Sequence, residues 1–154
     1  MVANQNDINK VIIHCTDTND AADIGIDQVN KWHQERGFEA YDGITFCGYH
    51  YIIRRDGSVD RGRPEWIRGA HTYGFNTGSI AVAWVGRNEL GPRQRTSLVL
   101  LVDSILRRYK LTVADVFGHC DFTSQKTCPN FNSVQTYLSI NAFRDDLLLI
   151  RGDS

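Results

Sequence analysis

Two histidines and a cysteine in this chain have the chemistry to hold one metal ion together. His14 ends the apolar run Val11-Ile12-Ile13, and His119 follows Gly118 a short way before Lys126-Thr127-Cys128-Pro129. Zinc in a hydrolytic site usually takes three protein ligands and keeps a fourth position open for water. Two neutral imidazoles and a thiolate match its borderline softness. Singly, these residues are ordinary: a histidine at a strand end is more often a hydrogen-bonded core group, and a single cysteine is more often buried filler. Their company raises the signal. Gly118-His119, Asp121, Lys126 and Cys128-Pro129 crowd into one stretch poor in regular periodicity, and Gly48-Tyr49-His50-Tyr51-Ile52-Ile53 reads as a strand able to bring a phenol to the same place.

The elements that must position these groups follow from periodicity. Val11 to His14 reads as a short buried strand, and Asp27 to Arg36 as a helix with Ile26, Val29 and His33 at helical spacing, closed by Gly37. Trp32 is expected in the core of that helix and His33 on its surface. Tyr49 to Arg54 and Ser58 to Arg61 flank Asp56-Gly57, a two-residue hairpin signal. Ser79 to Val85 alternates and then runs apolar, as a central strand does. Pro92 to Tyr109 places Leu98, Leu101, Val102, Ile105 and Leu106 on one helical face. Val113 to Phe117 reads as a strand delivering Gly118-His119, and Ser133 to Ile150 as a helix with a turn at Ser139-Ile140-Asn141. The alternation predicts an α/β fold: a single domain with a central mixed β-sheet of about five strands and helices packed on its faces. Residues 1–10 form a polar N-terminal tail, and residues 11–154 the folded domain.

Charge narrows the partners. A net charge of −1 on 154 residues leaves no excess of Lys and Arg for a broad nucleic-acid or anionic-membrane surface. The start of the chain has no basic-then-apolar pattern, and no apolar run approaches a membrane span, so synthesis as a soluble cytosolic chain is expected. Cys15, Cys47, Cys120 and Cys128 are too few and too unevenly spaced for a disulfide framework. Strand alternation is expected to turn Cys15 and Cys120, each directly after a candidate histidine, away from a metal and into the core.

Gly-His-x-Asp followed by Lys-x-Cys-Pro resembles the carboxy-terminal signature of type-2 N-acetylmuramoyl-L-alanine amidases. That family includes small phage endolysins and is similar in fold to the peptidoglycan recognition proteins. The likeness continues at Ile12-Ile13-His14-Cys15-Thr16, Trp32-His33, Gly48-Tyr49-His50-Tyr51-Ile52-Ile53, Arg55-Asp56-Gly57, Gly69-Ala70-His71, Asn76, and Ser79-Ile80-Ala81-Val82 leading to Val85-Gly86. These blocks stand in family order from about Val11 to Phe131. One departure is the loop Phe122-Thr123-Ser124-Gln125, which replaces a proline-containing segment.

The resemblance implies Zn²⁺ held by His14, His119 and Cys128, with Tyr49 and Lys126 as catalytic groups at the water or the developing oxyanion. It puts the loop of His71 at the rim of the substrate cleft, for substrate contact or for support of a ligand from behind, with Asn76 as a further substrate contact, while Trp66, Tyr73 and Phe75 could line a glycan groove. His50 is assigned to structure and Asp121 to orienting a ligand or its loop. The expected partner is bacterial peptidoglycan, without nucleic acid or a membrane span, acted on by a monomer. By analogy the chain is made in a host cytoplasm and reaches the wall after release, as a phage endolysin does. Two alternatives stand beside this: a non-catalytic peptidoglycan-binding module, or a bacterial remodelling or toxin amidase of the same chemistry.

Overall fold

A computed structural model describes residues 2–123, 128–129 and 140–152. Five strands make one sheet: β1 (Lys10–Cys15), β2 (Tyr51–Ile53), β3 (Val59–Arg61), β4 (Ser79–Trp84) and β5 (Val116–Gly118). Their order across the sheet is β3-β2-β4-β1-β5, with β3 antiparallel to β2 and the other pairings parallel. Among the described residues three α-helices accompany it: α1 (Ile26–Glu35), α2 (Pro92–Tyr109) and α3 (Ile140–Arg151). The sheet is mixed, as the sequence led us to expect.

The central strands β1 and β4 are near-continuous apolar runs because both of their faces are covered. Alternation divides them. Val11, Ile13 and Cys15 join Ile80, Val82 and Trp84 in the main core, closed by Leu98, Val102, Ile105 and Leu106 of α2 and by Phe143 and Leu147 of α3. Burying such a side chain is worth roughly 1.5–3 kcal/mol, so this layer supplies much of the fold's stability. On the other face, Val29 of α1 meets Cys47, Ile52 and Val85 in a smaller cluster. That face also carries His14, along with Ser79, Ala81 and Ala83 of β4, whose short side chains leave room above the sheet.

Helix α2 starts at Pro92, whose fixed φ suits the first helical position. Gln94 ties this start to the sheet: its Oε1 accepts from Gly91 N–H at 3.0 Å, and its Nε2 donates to the Val85 carbonyl at 2.9 Å. The β2–β3 connection is a three-residue loop, Arg55 to Gly57, rather than a two-residue turn. Arg54 N–H reaches Ser58 O at 2.8 Å while Gly57, at φ 89°, donates to Arg54 O. The segment read as a strand from Val113 divides into a 3-10 turn, Val113–Asp115, and the shorter β5. Of the proposed C-terminal helical stretch, residues 133–139 lie outside the described residues, and α3 accounts for the rest.

The polar N-terminal segment packs onto the domain. Asn4 bridges to Ile67, and the buried Gln5 side chain donates to Ser79 O and Glu65 O at 2.9 Å each while accepting from Gly78 N–H. No helix among the described residues is long and apolar enough to cross a membrane.

Candidate metal centre and active site

Strand pairing brings the two histidines side by side. In the parallel β1–β5 register Ile13 lies opposite Gly118, so the next residues, His14 and His119, emerge together. Their ring centroids are 4.6 Å apart. His119 opens a 3-10 turn, His119–Asp121, and Asp121 fixes that turn by accepting from Gly118 N–H at 2.8 Å. Asp121 therefore orients the loop that carries a candidate ligand.

Cys128 is held by backbone contacts. Its Sγ accepts from Cys15 N–H at 2.8 Å, and its carbonyl accepts from Cys120 N–H at 2.8 Å. The next carbonyl, of Pro129, accepts from Trp84 Nε1 at 3.1 Å. The donor atoms of His14, His119 and Cys128 all lie within 4.8 Å of one another. Ligands sharing a tetrahedral zinc stand about 3.3–3.7 Å apart, so a small contraction would close the set on one ion.

The protonation state of His14 suits that role. Burial, then the neighbouring His119 and His33, holds His14 well below the usual imidazole range, leaving a neutral ring with a lone pair. Burial pushes the Cys128 thiol well above its ordinary range. A cation beside the sulfur is the natural counterweight, because metal binding requires the thiolate. The donor set thus fits zinc in number and type, and contraction would bring it to the required spacing.

Tyr49 stands beside the cluster, its ring 5.2 Å from His14 and 5.2 Å from His33. Burial foremost, then the nearby Cys128, raises its phenol well above the tyrosine range, so it is a hydrogen-bond donor at neutral pH. The loop opposite is pressed close by Gly48. A Cβ there would sit 2.0 Å from the Ala70 carbonyl oxygen, and Ala70 N–H donates to Gly48 O at 3.0 Å. Glycine is needed for that approach.

Of the three residues expected at the substrate, His71 lies against a candidate ligand, Asn76 within its own loop, and Trp66 in a separate depression. His71 is folded inward, with Nδ1 3.1 Å from His14 Nε2 and Nε2 3.1 Å from Ser79 Oγ. Burial and His14 keep it well below its ordinary range. With Thr72 Oγ1 also 3.3 Å from His14 Nε2, the pair holds the orientation of the His14 ring. Asn76 uses its Oδ1 to accept from the His71 and Thr72 N–H groups at 2.9 and 2.8 Å, shaping the loop from within. Trp66, 65% exposed, lines a depression with Tyr41, Glu65 and Arg108 that none of the three candidate ligands borders. Lys126 lies outside the described residues.

Two further expectations are corrected. Cys15 is buried as expected, but Cys120 is exposed, because His119 begins a 3-10 turn and strand alternation no longer governs the residue after it. His33 is buried rather than on the helix surface, while Trp32 is only partly covered. Its Nδ1 accepts from Gly48 N–H at 2.8 Å, and burial brings its pKa down to about 4. Its place on the Val29 face was the available signal; the loop that covers it was not. Thr72 and Ser79 were also missed, since nothing local marks a hydroxyl that will meet a distant imidazole. His50 is structural as expected, accepting from Ala81 N–H at 3.0 Å and facing Ile67 O at 2.8 Å.

An α/β sheet carrying a His-His-Cys cluster with a partly buried tyrosine beside it has counterparts among cell-wall hydrolases. The family model for N-acetylmuramoyl-L-alanine amidase matches residues 4–131, and the chain belongs to that family. The endolysin of Enterobacteria phage T3 is 33% identical over 130 residues, covering 79% of this chain and 80% of its own. The endolysin of Escherichia phage T7 is 32% identical over 130 residues, with the same coverage. Among solved structures, the endolysin amidase LysCS from Clostridium intestinale URNW superposes with a TM-score of 0.76 at 26% identity, over 100% of this chain and 90% of that one. Family, fold and relatives together make this chain a peptidoglycan amidase.

Proposed function

We propose that the chain hydrolyses the amide between the lactyl group of N-acetylmuramic acid and L-alanine with one Zn²⁺ held by His14, His119 and Cys128, and that it serves as a phage endolysin. The observation that carries the zinc reading is the approach of three donor atoms of suitable type to within 4.8 Å of one another. When bound, zinc supplies a Lewis acid for the scissile carbonyl and makes water a competent nucleophile at neutral pH. His71 and Thr72 hold the His14 ring in place, and Asp121 holds the turn bearing His119. The Tyr49 phenol, kept protonated, donates a hydrogen bond to the oxygen on which negative charge develops. Lys126 adds a positive charge for the same oxyanion, a role resting on family resemblance. The sulfur in the cluster favours catalysis over a binding module that has lost its metal.

The bond cut tests the reading. Digestion of purified peptidoglycan is expected to release new amino termini on L-alanine and no new reducing sugar ends. A glycosidase would produce the reverse, and it needs a pair of carboxylates flanking the bond. Among the described residues, Asp121 is the acid nearest the cluster in sequence, and it is engaged with Gly118. New reducing ends without alanine amines would refute the proposal.

A further inference from the structure

Away from the candidate metal cluster, a concavity among the described residues brings aromatic rings together with Arg61. It encloses about 520 Å³ and is lined by Tyr41, Arg61, Glu65, Trp66, Arg108 and Tyr109, among others. That volume falls within the roughly 300–1,000 Å³ of small-ligand sites. Its floor is rigid. Glu65 accepts from Arg108 Nε at 3.1 Å and Tyr109 Oη at 2.5 Å, and it also holds the Tyr51 hydroxyl. Arg63, almost fully buried, donates to the carbonyls of Cys47, Arg68 and Glu39. These contacts use up Glu65 and Arg108 on each other and fasten Arg63 to the backbone.

What remains available is at the rim. Arg61, exposed on the edge strand β3, forms no ion pair among the described residues, and Trp66, 65% exposed, lines the same depression. An indole face packs against the apolar face of a pyranose ring, and a guanidinium pairs with a carboxylate through two parallel hydrogen bonds. An acidic sugar presents both. Cleavage of the lactyl–alanine amide makes one: the amine leaves with the peptide, and the sugar keeps a lactyl carboxylate that was masked in the substrate.

We propose that this depression binds the product glycan, recognising N-acetylmuramic acid through its ring and its newly freed carboxylate, and so keeps the enzyme on strands it has begun to strip. The proposal rests on the amidase reading for the source of its ligand, but its binding site is separate from the metal cluster.

The test is co-sedimentation of the full chain with insoluble glycan stripped of stem peptides by an independent amidase, alongside the same glycan with its carboxyls blocked as amides. Wild type should sediment with the stripped glycan and lose affinity about tenfold or more on the blocked one, as expected for loss of a charge-assisted pair. Arg61→Gln and Trp66→Ala should show the same loss, with melting temperature and turnover of a small soluble muropeptide unchanged. Binding that neither the blocking nor either variant affects would overturn the proposal, as would no binding to the stripped glycan. Titration with free N-acetylmuramic acid, followed by the Trp66 indole resonance, separates this result from the amidase reading. A response there without amide hydrolysis would overturn the reaction and leave the site, whereas hydrolysis without a response would do the opposite.

Discussion

Under the proposed function, the residues around the cluster divide into those that would bind metal, those that would hold the binders, and one that would face the reaction. Tyr49 is the last kind: it is close to His14 yet outside the donor set. Tyr49→Phe is therefore expected to keep zinc and fold while losing turnover on the order of 10²–10³-fold, as for removal of an oxyanion-hole donor. His71 belongs to the second kind through its contact with His14. His71→Ala should lower zinc affinity by roughly 10–100-fold, the usual effect of removing a ligand's orienting partner. Competition with a chelator against steady-state turnover distinguishes the two variants. Wild-type turnover in Tyr49→Phe, or wild-type zinc affinity in His71→Ala, would show the roles to be wrongly assigned. The sequence made the ligand types legible, since His and Cys announce themselves. It did not reveal that His71 and Asn76 face inward, because their partners, His14 and the loop's own N–H groups, meet them only once the loop is folded.

At the scale of elements, helix α2 was the most legible part. Its apolar residues repeat at helical spacing from Leu98 to Leu106, and packing on the sheet reinforces the pattern. The stretch before His119 was the least legible, because a 3-10 turn and a three-residue strand leave almost no period to read. The same shortness misplaced Cys120. The loop against Gly48 offers a sharp test of how elements position the site. Gly48→Ala would put a Cβ 2.0 Å from a backbone oxygen, so the segment carrying His71 must move. A loss of about 1–3 kcal/mol is expected, as for other overpacked positions, together with reduced amidase activity; an unchanged melting temperature and activity would contradict it. Buried histidines set the acid limit. Burial lowers both His33 and His50 to about 4, and each accepts a backbone N–H at Nδ1. Between about pH 6.5 and 4 the unfolded chain binds protons that the folded chain does not, so stability must fall as pH falls through that window and be insensitive to these groups above it. Denaturant unfolding at a series of pH values checks the sign, and a rise in stability toward pH 4 would contradict it.

For the whole molecule, the order of strands does what no local motif could. His14 and His119 are distant in sequence, and the parallel pairing of β1 with β5 makes them neighbours. Small residues on β4 leave room for the buried His14 ring on one face, while α2 and α3 close the opposite face. The number of strands and the mixed character of the sheet were readable from the alternation of apolar runs; the strand order was not, because pairing is a tertiary choice. The central claim is that this scaffold assembles a zinc amidase, and it is tested most directly by measuring zinc content and amidase activity on the same dialysed preparations. Wild type should carry about one zinc per chain and be active, and Cys15→Ser should keep far more zinc and activity than Cys128→Ser, since Cys15 contributes its backbone N–H and a thiol contact to the Cys128 sulfur and is not itself a proposed ligand. Cys128→Ser should lose both metal and activity. Full activity in a preparation free of metal, or wild-type zinc in Cys128→Ser, would contradict the account.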